Sequence, residues 1–316
     1  MMQALKRIGL GLAALILVAY VALTVYAYWP GPTEVPLHEL TTDTDRFVGV
    51  GGVQLRYREY GARAAGRPNI LLIHGFANSL QSFRELAPRL TDCCYVVAID
   101  MPGYGLSDKP ERFDYHNRPQ AETIVAAARA LSLERPIYAG HSLGGAIALW
   151  AAHLDRTASG LVLMNPGILT TGVPKIVQIT LPPLPRLAAK QFSNREFRAN
   201  FLRKSYVNPA IVTEQVIDDV MLGSRAEGYL TGMTSLMKQY SEGEELALLG
   251  QVRAPTLILW GNQDRNKLLS EANDLQHQIP ESRLVRFAQA GHYVHEEAAG
   301  GCALALTEWI NAAIAR

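Results

Sequence analysis

Cysteine is scarce in this chain, with three in 316 residues. That number excludes a disulfide-stapled scaffold, and no Cys or His spacing matches a metal site. Cys93 and Cys94 are neighbours in an apolar segment and Cys302 falls in a helical pattern, so all three read as buried free thiols. An excess of charge of either sign is missing too. Thirty Lys and Arg stand against 29 Asp and Glu, and the basic residues are scattered with no aromatic-interleaved stripe. Nothing in that balance points to a nucleic-acid partner. What the chain does have is apolar residues, 48% of the total, enough for one large core in one or two domains.

The longest apolar run is Ile8 to Trp29, uncharged throughout. Lys6 and Arg7 precede it, and Tyr20, Tyr26, Tyr28 and Trp29 crowd its far half. A helix of about 20 residues spans a bilayer, and aromatic rings favour the interface. The run therefore reads as an N-terminal anchor over residues 1–29. A signal peptide cleaved near Val25 and Ala27 is the competing reading. No Lys or Arg follows until Arg46, so the charge bias leaves the N-terminus cytoplasmic and the rest of the chain outside.

Residues 30–45 are polar and proline-bearing, a linker. Beyond them, Arg46–Val50 and Val53–Tyr60 pair as a hairpin across Gly51-Gly52. Ile70–Ile73, Tyr95–Ile99, Gly160–Met164, Thr256–Trp260 and Arg283–Phe287 are short apolar strands. Helical patterns at Ser82–Leu90, Arg118–Leu131, Leu268–Gln278 and Glu296–Ile314 alternate with them. Such alternation predicts an α/β fold with a mainly parallel sheet flanked by helices, built from residues 46–166 and 251–316. Residues 167–250 break the rhythm. They lack a buried strand and carry helical patterns at Asn194–Lys204, Pro209–Leu222 and Gly228–Tyr240, which predicts a helical cap over the carboxyl ends of the strands.

The stretch around which this chemistry gathers is Gly140-His-Ser-Leu-Gly144, set between an apolar strand and an apolar helix. Ser142 sits where the chain turns from strand to helix in one residue, and flanking glycines remove side chains that would clash. Alone the pattern is weak, so the chain must supply partners in the order serine, acid, histidine. Gly261-Asn-Gln-Asp264 follows one strand and Gly291-His292 follows the next. His292 would take the serine proton and Asp264 would orient the imidazole. His295 is the rival base, but it lies where the last helix begins. Asp274 lies inside a helix, an inferior place for the acid. The oxyanion hole calls for two backbone N–H donors. Leu143 follows the nucleophile, and Phe76 lies in the loop His74-Gly-Phe-Ala-Asn78. His74 reads as structural, and Asp100, in Asp100-Met-Pro-Gly-Tyr-Gly-Leu-Ser, as part of a pocket wall.

These motifs, in this order and spacing, resemble the α/β-hydrolase fold family from about Arg46 to the C-terminus. The resemblance implies a Ser-His-Asp hydrolase needing no cofactor or metal. Family members that open epoxides or remove halides carry Asp as nucleophile; Ser142 argues against both. The anchor, the apolar cap and Leu161-Val-Leu-Met-Asn-Pro-Gly167 are similar to membrane-bound monoacylglycerol lipases. The expected substrate is then a lipophilic carboxylic ester, its acyl chain contacting cap residues such as Ile176 and Ile179, with the bilayer as the partner of the N-terminal helix. Thioesterase, amidase and carbon–carbon bond hydrolase use the same machinery. A non-catalytic binding module would show a damaged triad.

Overall fold

Five strands with every residue buried, or all but one, form the centre of the molecule. A computed structural model of the chain describes residues 2–31, 33–170, 181–239 and 244–314. The strands are β1 (Arg46–Val50), β2 (Val53–Tyr60), β3 (Asn69–Ile73), β4 (Tyr95–Ile99), β5 (Ile137–His141), β6 (Gly160–Met164), β7 (Thr256–Gly261) and β8 (Ser282–Phe287). They make one sheet in the order β1-β2-β4-β3-β5-β6-β7-β8. β1 and β2 are antiparallel to their neighbours, and the pairs from β4 to β8 are parallel. The hairpin turns at Gly51 and Gly52, both with positive φ, as the tightest hairpin turns require.

The helices are α1 (Met2–Tyr28), α2 (Leu37–Leu40), α3 (Asn117–Ala130), α4 (Leu143–Leu154), α5 (Leu184–Phe192), α6 (Arg195–Ser205), α7 (Glu214–Arg225), α8 (Tyr229–Gln239), α9 (Leu269–Gln278), α10 (Val294–Glu297) and α11 (Ala299–Ala313). Strand alternation sorts the core into two layers. Leu71, Ile73, Val97, Ile99, Leu163 and Trp260 pack with residues of α3, α4 and α9. Ile70, Leu72, Val96, Ala98, Val162 and Leu259 pack against Leu80, Phe83, Leu306 and Trp309 on the other face. A sheet covered on both sides needs strands that are apolar at every position, which is why these segments read as continuous runs.

Three local expectations are revised. Ser82–Leu90 is not one helix but two 3-10 turns, Leu80–Phe83 and Ala87–Leu90; Pro88 withholds an N–H from any continuous helix. The pattern at Glu296–Ile314 splits into α10 and α11 at Ala298, whose φ and ψ of −127° and 37° are not helical. Cys93 and Cys94 are bonded to each other rather than free, in a turn where both N–H groups donate to the Leu90 carbonyl. Cys302 is the buried free thiol.

Between β6 and β7 the described chain holds α5 to α8. Its own small core gathers Leu202, Tyr206, Ile217 and Met221 around Tyr293. α1 is long and apolar enough to cross a membrane, and its most apolar window is exposed. Its last turn packs against α5. Ala27 is fully buried there. Lys190 of α5 donates to the carbonyls of Tyr26 and Trp29 at 2.8 and 3.0 Å, and Arg186 to that of Ala27 at 3.1 Å. Both cations also face aromatic rings, Arg186 over Tyr28 and Lys190 over Tyr26. These are the unpaired carbonyls every helix leaves at its C-terminus, where positive charge is favoured.

Candidate active site

Because β3 to β8 run parallel, their carboxyl ends share one edge, and the loops that leave them converge. Ser142 leaves β5 with φ 52° and ψ −118°, a strained conformation for a residue with a side chain. Three bonds hold it: its N–H donates to the Met164 carbonyl, and its own carbonyl accepts from Gly145 and Gly167. The flanking glycines are required by close approach. A Cβ at Gly140 would lie 2.0 Å from the Gly144 carbonyl oxygen, and one at Gly144 would lie 2.2 Å from that of Ile73.

His292, in the loop after β8, meets the serine hydroxyl. Its Nε2 lies 3.1 Å from Ser142 Oγ and its Nδ1 lies 2.7 Å from Asp264 Oδ2. With Nδ1–H donating to the carboxylate, Nε2 is left as an acceptor for the hydroxyl proton. The Asp264 side chain is fully covered, and that of His292 is 10% exposed. Burial works against the Asp264 charge. His292, the Asn266 N–H and the Asn165 amide outweigh it and hold the carboxyl below its usual range. The three residues singled out from sequence are thus brought together.

The loop after β3 lies hard against the elbow. A Cβ at Gly75 would come within 2.9 Å of His141 Nδ1 and 3.1 Å of Ser142 Cβ. Phe76 follows, its ring set edge-on to Tyr104 and Phe192. Leu143 is the first residue of α4, where a helix has N–H groups with no internal acceptor. His74 is structural as expected, its Nδ1–H donating to the Gly75 carbonyl and its Nε2 accepting from the Met101 N–H. Asp100 is structural as well. It accepts from the Leu80 and Leu106 N–H groups and pairs with the buried Arg56 at 2.9 Å. His295 is fully buried, 2.7 Å from Ser82 Oγ, and burial, then Arg84 and His292, push its pKa down to about 3. Asp274 lies on the exposed face of α9. Ile176 and Ile179 fall outside the described residues.

Some contributors carried no sequence signal of their own. Asn165, just past β6, donates to Asp264 Oδ2 at 2.7 Å while its Oδ1 accepts from the Gly261 N–H. His141 donates from Nε2 to the His292 carbonyl at 2.9 Å. Glu297 accepts from Gly291 and Val207, fixing the histidine loop. Arg198 of α6, almost fully buried, donates to the Ala77 carbonyl beside Phe76. Among the described residues no group of His, Cys, Asp and Glu is arranged to hold a metal ion.

Residues 68–299 match the family model for the alpha/beta hydrolase fold. The chain belongs to that family. Among its relatives, this hydrolase is 28% identical over 250 residues to the uncharacterized hydrolase YugF of Bacillus subtilis, covering 78% of this chain and 91% of that one. It is 27% identical over 257 residues to lipase 1 of Psychrobacter immobilis, covering 78% and 77%. A solved membrane phospholipase A, described as a bacterial virulence factor, superimposes on this hydrolase with a TM-score of 0.71 and 25% identity. It covers 98% of this chain and 99% of its own.

Proposed function

We propose that this hydrolase is a membrane-anchored serine esterase that cleaves lipophilic carboxylic esters, monoacylglycerols first among them. The observation that carries the reading is the unbroken chain from Ser142 Oγ through His292 to Asp264, at 3.1 and 2.7 Å. Ser142 attacks the ester carbonyl as His292 Nε2 takes its proton. Leu143 and Phe76 are the proposed N–H donors to the oxyanion, and the imidazolium returns its proton to the departing alcohol. Water then resolves the acyl-enzyme by the same route. The helices α5 to α8 are read as a cap over this cleft, and α1 as the anchor that keeps it near the bilayer. Support for the anchor comes from the exposed apolar length of α1 and from the end-to-end likeness to a membrane phospholipase A. Lys6 and Arg7 precede the apolar run Ile8–Trp29 near the start of α1, and no Lys or Arg follows it until Arg46; that bias supports a catalytic part on the non-cytoplasmic side.

Thioesters, amides and some carbon–carbon bonds yield to the same triad, so the test must span them. The detergent-solubilised protein is offered p-nitrophenyl esters, monoacylglycerols, acyl-CoA and anilides, with fluorophosphonate labelling alongside. Labelling of wild type and none of Ser142→Ala, with esters turned over fastest, is the expected result. A folded wild-type protein that neither labels nor hydrolyses any ester would overturn the proposal. N-terminal sequencing of the mature protein distinguishes an anchor from a cleaved leader.

A further inference from the structure

A cavity of about 390 Å³ opens beside Leu143 and reaches Trp150, two helical turns along α4 and so about 10 Å away at the usual rise per residue. Its walls come from the sheet-side loops and from α8 alike, and they are not uniformly apolar. At the Trp150 end stands Glu245, 2% exposed. Its Oε1 accepts from Trp150 Nε1 at 2.8 Å and from Asn117 Nδ2 at 2.9 Å. Its Oε2 bonds nothing among the described residues, and none of their cations lies within ion-pair distance. Nor is that oxygen among the sealed, unbonded atoms of the interior; it faces the cavity. A carboxylate taken out of water and met by neutral donors on one oxygen only is an acceptor awaiting a donor.

We propose that this cavity is the subsite for a hydroxyl-bearing alcohol portion of the ester, and that Glu245 Oε2 accepts its hydroxyl. The assignment rests on the serine esterase reading and adds to it which side of the ester lies along α4. An acyl chain would strand its methylene groups against a carboxylate. An anionic head group would meet Glu245 together with Asp114 and Glu244, which line the same cavity. A cationic one would be drawn to the same carboxylates and repelled by Arg118 alone, so octanoylcholine is assayed beside the neutral esters, and its preference over 1-octanoylglycerol would overturn the assignment. A neutral polyol such as the glycerol end of a monoacylglycerol meets none of these penalties, and its hydroxyls can reach both Glu245 and water.

The test holds the acyl group constant and varies the alcohol: 1-octanoylglycerol, 3-hydroxypropyl octanoate and propyl octanoate, compared by kcat/KM. A site built around a hydrogen bond to a charged group discriminates against an analogue lacking the hydroxyl, here by about tenfold or more. Wild type is expected to rank the three in that order. Glu245→Gln keeps an oxygen for Trp150 and Asn117 but turns an amide toward the cavity, which can only donate to the hydroxyl, and the glyceryl-to-propyl ratio is expected to fall severalfold, by about threefold or more. A wild-type ratio near one overturns the proposal, and that series needs no variant to fold. So does a ratio unchanged in a Glu245→Gln protein of wild-type thermal stability. Absence of all ester turnover and of Ser142 labelling would instead overturn the esterase reading beneath it.

Discussion

Replacing Asp264 by Asn changes one atom and sets two demands against each other. In the native loop both carboxylate oxygens accept. Oδ1 takes the N–H groups of Asn266 and Lys267 at 2.7 and 3.2 Å, and Oδ2 takes His292 Nδ1 and Asn165 Nδ2, both at 2.7 Å. An asparagine has one oxygen for these four donors. If it stays with the loop, its NH₂ group faces the Asn165 amide, which cannot turn because Gly261 holds its oxygen at 2.9 Å. His292 Nδ1 must then accept, and the ring proton moves to Nε2, opposite the serine. An imidazole in that tautomer cannot take the Ser142 proton. The same exchange in a related triad costs about 10,000-fold in kcat, or roughly 5.5 kcal/mol of barrier. The opposite rotamer keeps the tautomer but sets the amide NH₂ against two loop N–H donors, costing about 1–3 kcal/mol for each donor left unpaired. Stopped-assay hydrolysis of p-nitrophenyl butyrate, read beside thermal melting, separates the two. The expected result is a kcat loss of about 10,000-fold, or a smaller loss accompanied by a clear drop in Tm. A variant keeping more than about a tenth of wild-type turnover at unchanged Tm would refute the hydrogen-bond argument.

Three further outcomes are expected. Gly144→Ala sets a Cβ 2.2 Å from the Ile73 carbonyl oxygen, and a backbone atom cannot step aside; urea unfolding should show a loss of about 3 kcal/mol or more, and wild-type stability would count against the elbow geometry. Arg198→Met keeps the packing on Phe192 and Phe201 but loses the bond to the Ala77 carbonyl, so kcat should fall about tenfold with KM little moved; a pure KM effect would place Arg198 elsewhere in the reaction. The third concerns acid. Buried His295 stays neutral down to about pH 3, whereas in the unfolded chain it takes a proton near pH 6.5. Its contribution is therefore full above about pH 6.5 and lost as pH falls toward 3, by about 1.4 kcal/mol per pH unit. Unfolding curves of wild type and His295→Gln should diverge at that slope between those limits, and parallel curves would show that the histidine is protonated in the native state.

Strand ends marked by glycine made Ser142, Asp264 and His292 legible, because backbone punctuation and chain order are local properties. The buried strands were legible for the same reason. Asn165 and Arg198 were not: the first is defined by Gly261 and Asp264, the second by Ala77, and only the folded sheet brings such distant segments together. Asp100 illustrates the reverse. A carboxylate at a strand end suits a catalytic acid by position, yet Arg56 and two loop N–H groups consume it. Helix breaks at Ala298 and within 80–90 escaped the periodicity, which senses the apolar face and not the φ and ψ of a single residue.

The last turn of α1 has a bearing on how the chain matures. A processing peptidase draws the residues around its target bond into an extended strand within its own cleft. Here Ala27 is fully covered and its carbonyl is bonded by Arg186. Once α5 has docked, the bond lies out of reach; cut earlier, the shortened chain leaves Lys190 and Arg186 with no carbonyls to hold. Were the chain cut at this point, folding and processing would compete for the same few residues. The faster of the two would decide what the fifth helix rests upon.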